Sequence, residues 1–499
     1  MSKFNFKNYI LEFVVFFCGG LVMIYEIIGS RILSPYIGTS TYTWTSLIGV
    51  ILGALSLGYW FGGKLADKKP DVKILASAIF LAGGLVSVTI LFKDAILTLI
   101  SELKIGLELK SLVAALFLFA PASVFLGFVT PYAVKLKTKS LDETGKTVGR
   151  LYALSTIGSI LGTFSAGFFL IPFVGSTRTL YFIAASLFLL SFLLIPFSAA
   201  KLKIGSLILL IIGIGFNEFY SNYLYKTLNF HDIDTEYSRI QIYDTKDKKS
   251  GRKKRVMKID PQYYQSSMYL DNGEPASEYH KFYHLIKYYN PDFQRVLMIG
   301  GAGYSFPKEY LKTYPNAEID VVEIDPQMTD IAKKYFRLKE NPRLKIFHED
   351  GRVFLNQAED NKYDAVLIDA FTTLFSIPFQ LTTIEAVRQI NRTLKDNGVV
   401  IVNIGGALEG KSSGFLRAEL NTYKQIFPKI QLIKVGRKKN DAEIQNWILI
   451  ASKRMNFGKN NDDEIENLLN QVYQKQINLS QTILTDDLAP VEYFNSFAN

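Results

Sequence analysis

Three acids and a glycine cluster carry the chemistry that can be read along this chain. Gly300-Gly301-Ala302-Gly303 opens directly from the apolar run that begins at Arg295, and Glu323 closes the next apolar run, from Ile319. Asp350-Gly351 follows the short run Leu344 to Phe347, and Asp369 ends the run that starts at Tyr363. Glycines let a backbone approach a ligand closely, and the N-terminus of a following helix favours the ligand's polar or negative part. An acid about 20 positions further on can accept both hydroxyls of a ribose. Ligands of open parallel sheets bind beyond the carboxyl ends of the strands, and Glu323, Asp350 and Asp369 all fall on that rim. The order strand, loop, helix, strand and terminal acid predicts a nucleoside-containing ligand. Each acid taken singly is also compatible with a loop or helix-cap residue.

The elements that must position these groups follow from periodicity and turn residues. Tyr237–Tyr243 and Arg255–Ile259 read as antiparallel strands joined by a basic turn, with Met268–Asp271 as a short third strand. A helix is expected over Ser277–Lys287. Beyond it, strands ending at Gly300, Glu323, Phe347 and Asp369 alternate with helices, one of them Thr382–Leu394. Gly398–Ile404, Ile430–Val435 and Trp447–Ser452 complete seven strands. The fold class expected is therefore a multi-span α-helical membrane domain, then a small antiparallel β module, then an α/β Rossmann-like domain of methyltransferase type with a seven-stranded sheet. The corresponding boundaries are 1–222, 232–275 and 276–499.

The membrane assignment rests on texture. The chain has 499 residues, 48% of them hydrophobic, and most of its first 220 residues are apolar runs. Candidate spans of about 20 apolar residues lie near 8–29, 41–62, 74–98, 109–132, 152–172 and 176–196, with a weaker seventh near 203–220. The first is too long, and too closely followed by others, to be a cleaved leader. Glycines four apart (Gly49 and Gly53, Gly58 and Gly62, Gly158 and Gly162) suit close helix packing in lipid. With the N-terminus inside, the inner loops hold thirteen Lys and Arg and the outer ones five, a positive-inside bias. An odd number of spans would leave the C-terminal half outside. The basic stretch from Lys246 to Arg255 suits an anionic cytoplasmic leaflet instead, and the expectation is a cytoplasmic domain. Glu26, with Arg31 beyond it, calls for structural pairing, a membrane-side substrate site or proximity to headgroups. One cysteine, Cys18, and four histidines exclude a disulfide framework and a histidine-rich centre, so no metal is expected. The formal charge of +10 comes with no recognition helix, so no nucleic-acid partner is expected either.

The residues resemble the spermidine synthase (polyamine aminopropyltransferase) family, in its membrane-fused branch. The resemblance lies in Met298 to Tyr304, Val322-Glu-Ile-Asp-Pro326, Asp350-Gly-Arg-Val-Phe-Leu355, Tyr363 to Asp369, and Leu484 to Glu492. It covers nearly all of 232–499. Tyr25-Glu26 with Arg31 is similar to that branch's first helix. The resemblance implies that Gly300, Gly301 and Gly303, with Gly351, shape a pocket for decarboxylated S-adenosylmethionine or S-adenosylmethionine, with Glu323 on the ribose and Asp350 at the adenine amine. It implies that Asp369 accepts the proton of an attacking amine, with Tyr237 on the substrate side. Tyr279-His280 would correspond to the family's tyrosine–histidine pair, and Glu274 to a glutamine that usually precedes it. The chain departs from the family where a second acid is usual, since Thr372 stands there, and where Pro275-Ala276 replace an acidic pair. The activity implied is aminopropyl transfer to a small-molecule amine at a lipid bilayer. The alternatives are methyl transfer from S-adenosylmethionine to a lipid or small molecule, and a non-catalytic membrane transporter or sensor. Assembly into a homo-oligomer stays open.

Overall fold

The computed structural model describes residues 9–38, 40–103, 105–138, 140, 142–195, 200–259, 264–371, 377–436, 440–454 and 462–495. It divides into two compact units that part between Arg239 and Ile240.

The first unit is helical because its sequence offers long apolar stretches with almost no internal charge. The helices are α1 (Ile10–Ile37), α2 (Thr41–Lys68), α3 (Val72–Glu102), α4 (Leu107–Leu118), α5 (Ala120–Gly127), α6 (Val129–Lys137), α7 (Thr144–Ser165), α8 (Ser176–Leu194) and α9 (Ala200–Leu228). Among the described residues, five helical stretches are long and apolar enough to cross a bilayer: α1, α2, α3, α7 with its wide π turn Ala166–Val174, and α8. The fourth expected span is one helix in sequence and a broken one in space. It bends by 53° after Leu118, where Pro121 sits in the first turn of α5 and cannot supply an N–H to continue α4.

The ends of these helices define two faces. On the near face Glu12 of α1 pairs with Lys137 at 3.0 Å and Arg150 at 3.6 Å, and Ser191 of α8 donates to the Ala76 carbonyl of α3. On the far face the Tyr36 hydroxyl of α1 donates to Asp94 of α3 at 2.9 Å, and Thr43 meets Ser111. Arg31 does not pair with Glu26; it donates to the carbonyl of Glu236, and Glu26 has no ion pair among the described residues.

Two of the three glycine pairs are packing glycines. A Cβ on Gly158 would stand 1.9 Å from the Phe16 carbonyl oxygen, and one on Gly58 would stand 2.1 Å from that of Val124. Gly49 and Gly53 meet nothing within 4 Å, so the expectation of close packing fails for that pair.

The second unit begins with antiparallel β2 (Arg239–Lys246), β3 (Lys253–Lys258) and β4 (Ser266–Tyr269), following the short β1 (His231–Asp234) of the first unit. The basic turn is neutralised by neighbouring acids: Arg252 binds Asp271, Lys254 binds Asp247, Arg255 binds Asp244 and Lys249 binds Glu278. The helix expected over 277–287 is replaced by two short turns, α10 (His280–Tyr283) and α11 (Ile286–Tyr289). Tight bonds such as Phe282 N–H to Tyr279 and Leu285 N–H to Phe282 bury Tyr279, Phe282, Tyr283, Leu285, Ile286 and Tyr289 together. A single amphipathic face would hide fewer.

The seven-stranded sheet then forms from β5 (Arg295–Ile299), β6 (Glu318–Val322), β7 (Leu344–Phe347), β8 (Tyr363–Ile368), β9 (Leu394–Gly406), β10 (Lys429–Lys434) and β11 (Gln445–Ser452). Its order is β10-β11-β9-β8-β5-β6-β7. The pairs among β5 to β9 are parallel, while β10 and β11 run antiparallel. Parallel strands covered on both faces need continuous apolar runs, and β8 is buried along its whole length. Order reverses at β5, between β8 and β6, which makes the end of β5 the switch point where ligands of such sheets bind.

The packing predicts that Gly158→Val lowers the thermal unfolding midpoint of the detergent-solubilised protein, equivalent to about 1–3 kcal/mol of overpacking. Gly53→Ala is expected to leave it unmoved or raised.

Candidate active site

The site is built at the carboxyl ends of β5, β6 and β8. Gly300 leaves β5 with φ +97°, and a Cβ there would lie 2.4 Å from the carbonyl oxygen of Asp369. Only glycine meets both demands, so the β5 turn and the end of β8 touch through backbone. Gly301 and Gly303 are closed in by the Tyr304 ring and by Ser266 of β4. The loop leads into α12 (Ser305–Thr313).

Glu323 lies just beyond β6, buried. Its Oε2 accepts from the N–H groups of Gly301 at 2.8 Å and Ala302 at 3.0 Å, and its Oε1 accepts from Asp325 N–H at 3.1 Å. Burial raises its pKa, and the three amides pull against that rise. Asp325 in turn caps α13 (Pro326–Tyr335), with Pro326 in the first turn. Asp350 is realised as a helix cap: its Oδ1 accepts from the N–H groups of Arg352 and Val353 at the start of α14 (Gly351–Gln357). Its other oxygen faces Gln380 Nε2 at 3.4 Å. Gly351 brings that cap onto β5, since a Cβ would be 2.7 Å from Ile299 Cγ2.

Asp369 is the most constrained group. Tyr279 donates its hydroxyl to Oδ2 and Asn403 its Nδ2–H to Oδ1, both at 3.0 Å. The Tyr283 hydroxyl approaches the same carboxyl without completing a hydrogen bond. Asn403, on β9, is itself held by Asn446 of β11, whose Nδ2 donates to its Oδ1 at 3.2 Å. Burial raises the pKa of Asp369, opposed by the donors Asn403 and Tyr279 and by the nearby Tyr283 hydroxyl. The His280 ring packs on Tyr279 with centroids 4.2 Å apart. Burial pushes its pKa down to about 3, so it stands neutral, with Nδ1 unpartnered.

The structure thus joins Asp369 to Tyr279, and Glu323 to Gly301, with Gly300 linking the two groups; Asp350 and Gly351 sit beside β5. Glu274 is elsewhere. It is exposed in the turn after β4, its charge acts on Arg252, and no described contact joins it to Asp369. Tyr237 belongs to the first unit, where it is exposed and its N–H donates to Thr235 Oγ1. Thr372 lies outside the described residues. Asn403 and Asn446 were not singled out from sequence. The available signal was a polar residue interrupting the apolar run Val399 to Ile404 near its carboxyl end.

Residues 277–435 match the family profile of the spermine/spermidine synthase domain. A polyamine aminopropyltransferase of Vibrio vulnificus is 30% identical over 162 residues, 32% of this chain and 52% of that protein. One of Leptospira interrogans is 22% identical over 464 residues, 86% of this chain and 87% of that protein, an alignment long enough to take in the apolar helices that precede the synthase domain. The chain spans about half the length of several curated relatives it matches, including the Vibrio protein. Among solved structures, a probable spermidine synthase from Corynebacterium glutamicum is similar at a TM-score of 0.41 and 20% identity, over 48% of this chain and 86% of that one.

A carboxyl whose pKa is raised on folding destabilises the fold as pH climbs from the ordinary carboxylate value through the folded one. Asp369→Asn is therefore expected to raise the unfolding midpoint of the synthase domain at pH 7. The gain should vanish below about pH 4, where the unfolded chain also holds the proton. Unfolding curves of both proteins across that range check it.

Proposed function

We propose that this protein is a membrane-anchored aminopropyltransferase that moves an aminopropyl group from decarboxylated S-adenosylmethionine to a small-molecule amine. The observation that carries the reading is the half-buried Asp369 carboxyl, held between Tyr279 and Asn403 directly against the Gly300 turn. A sulfonium-bound carbon is already electrophilic, so little covalent machinery is required. The amine nitrogen attacks that carbon, the C–S bond breaks with its electron pair going to sulfur, and a neutral thioether leaves. The proton lost by the nitrogen passes to Asp369. A carboxyl with a raised pKa suits that acceptance, while Tyr279 and Asn403 aim its oxygens. In this reading Glu323 would take the ribose hydroxyls of the donor and Asp350 its adenine amine.

The bilayer enters through the five long apolar helices and the broken sixth, whose lengths suit a hydrocarbon core of about 30 Å. The second reading is methyl transfer from S-adenosylmethionine. It is favoured by the fate of two acids that a dicationic acceptor could use: Glu278 is engaged by Lys249 and Glu274 faces Arg252.

Calorimetry on the detergent-solubilised full chain separates the two. Decarboxylated S-adenosylmethionine is expected to bind more tightly than S-adenosylmethionine, whose extra carboxylate would face a site lined by Glu323 and Asp369. The reverse preference would transfer the assignment to methylation, and binding of neither would remove the catalytic reading. Asp369→Asn is expected to keep donor binding and lose about 10²–10⁴-fold in turnover.

A further inference from the structure

We propose that the active site faces the aqueous phase on the side of the membrane away from the cytoplasm, so that donor and amine are met there. The inference rests on the bilayer reading above and runs against the cytoplasmic placement expected from the basic turn.

Three observations within the structure carry it. First, the segment through which the chain leaves the helical unit is fastened to the far face. Asp234 of β1 accepts from Ser176 N–H at 2.8 Å and from the Ser176 hydroxyl at 3.0 Å, at the far-face start of α8. Arg31, in the last third of α1, holds the Glu236 carbonyl. Arg239, the last residue of the unit, is buried, paired with Asp232 at 2.6 Å, and within electrostatic reach of the Lys93–Asp94 pair of α3. Helix α9 supplies a crossing beyond the five long helices and the broken one: it follows α8, whose end meets the near-face start of α3 through Ser191 and Ala76, packs along α3 with Gly213 beside Ser87 and Ile90, and leads into β1 at the far face.

Second, most of the cations near the helix ends lie on the other face. Lys64, Lys68, Lys69 and Lys73 flank the α2–α3 connection, and Lys135, Lys137, Lys146 and Arg150 flank the one between α6 and α7. Both connections belong to the near face. On the far face Lys93 is buried against Asp94 at 2.7 Å and Arg31 is engaged by a backbone carbonyl. Short cation-rich loops stay in the cytoplasm, whereas long domains cross largely regardless of their charge.

Third, the reason for expecting the cytoplasm has gone. Four of the seven cations between Lys246 and Arg255 are paired with acids of their own unit, which leaves a weak field for an anionic leaflet. The near face is therefore cytoplasmic, and the chain leaves the helical unit on the opposite side.

Cysteine accessibility in the full chain tests this. Cys18 is buried and is the only cysteine, so Cys18→Ser supplies a thiol-free background. Glu340→Cys places a probe on the second unit, where that side chain is 93% exposed. Asp142→Cys places one on the near-face connection before α7. In intact spheroplasts a membrane-impermeant maleimide is expected to label Glu340→Cys fully, with no gain on permeabilisation, and to label Asp142→Cys only after permeabilisation. Protection of Glu340→Cys until the membrane is opened would overturn the orientation. Release of the protein from membranes by alkaline carbonate would overturn the bilayer reading beneath it, and is scored separately from labelling.

Discussion

A carboxyl group half-buried at the end of a parallel strand is the constraint around which the second unit is organised. A charge withdrawn from water is costly unless it is hydrogen-bonded, and Asp369 is supplied with donors from two distant places. Tyr279 comes from the aromatic turns before the sheet, Asn403 from β9, and Asn446 supports Asn403 from β11. The Gly300 turn closes the fourth side with backbone alone, which is why a side chain cannot be accommodated there. The aromatic packing of Tyr279, Tyr283, His280 and Phe306 follows from the same need, since the phenol that reaches Asp369 must be held by a rigid, dry wall.

The helical unit solves a different problem. In the bilayer reading proposed above, helices in an apolar solvent gain nothing from burying apolar side chains against each other, so close backbone approach must supply the contact energy. Gly158 against Phe16 and Gly58 against Val124 are such approaches, and the broken α4–α5–α6 run places its glycine where α2 needs it. The charged residues are sorted to the ends. Glu12 gathers Lys137 and Arg150 on one face, while Asp94, Asp232 and Asp234 fasten the departing chain on the other.

Much of this was legible in the sequence. Continuous apolar runs marked the strands of the sheet, their terminal acids marked the rim, and hydropathy marked the spans. What the sequence hid was set by tertiary context. The 277–287 stretch has aromatic residues on every side, so no single helical face could bury them, and it folded into two tight turns instead. Gly49 and Gly53 have the same spacing as Gly58 and Gly62 but face away from any neighbour, a matter of helix rotation that spacing does not encode. The basic turn counted as seven cations along the chain and became ion pairs once Asp244, Asp247 and Asp271 folded beside it. Asn403 was hidden by its ordinary size and polarity: its role exists only because β8 and β9 are adjacent and in register.

The contacts of Glu323 bear on which molecules can enter at all. In many nucleotide-binding turns the free amides after the first strand receive a pyrophosphate. Here the amides of Gly301 and Ala302 already hold an anion, and it is the protein's own side chain. A phosphate arriving at this turn would find its donors occupied and a carboxylate in its path. A ligand at this turn therefore meets a carboxyl group where other such turns offer free amides.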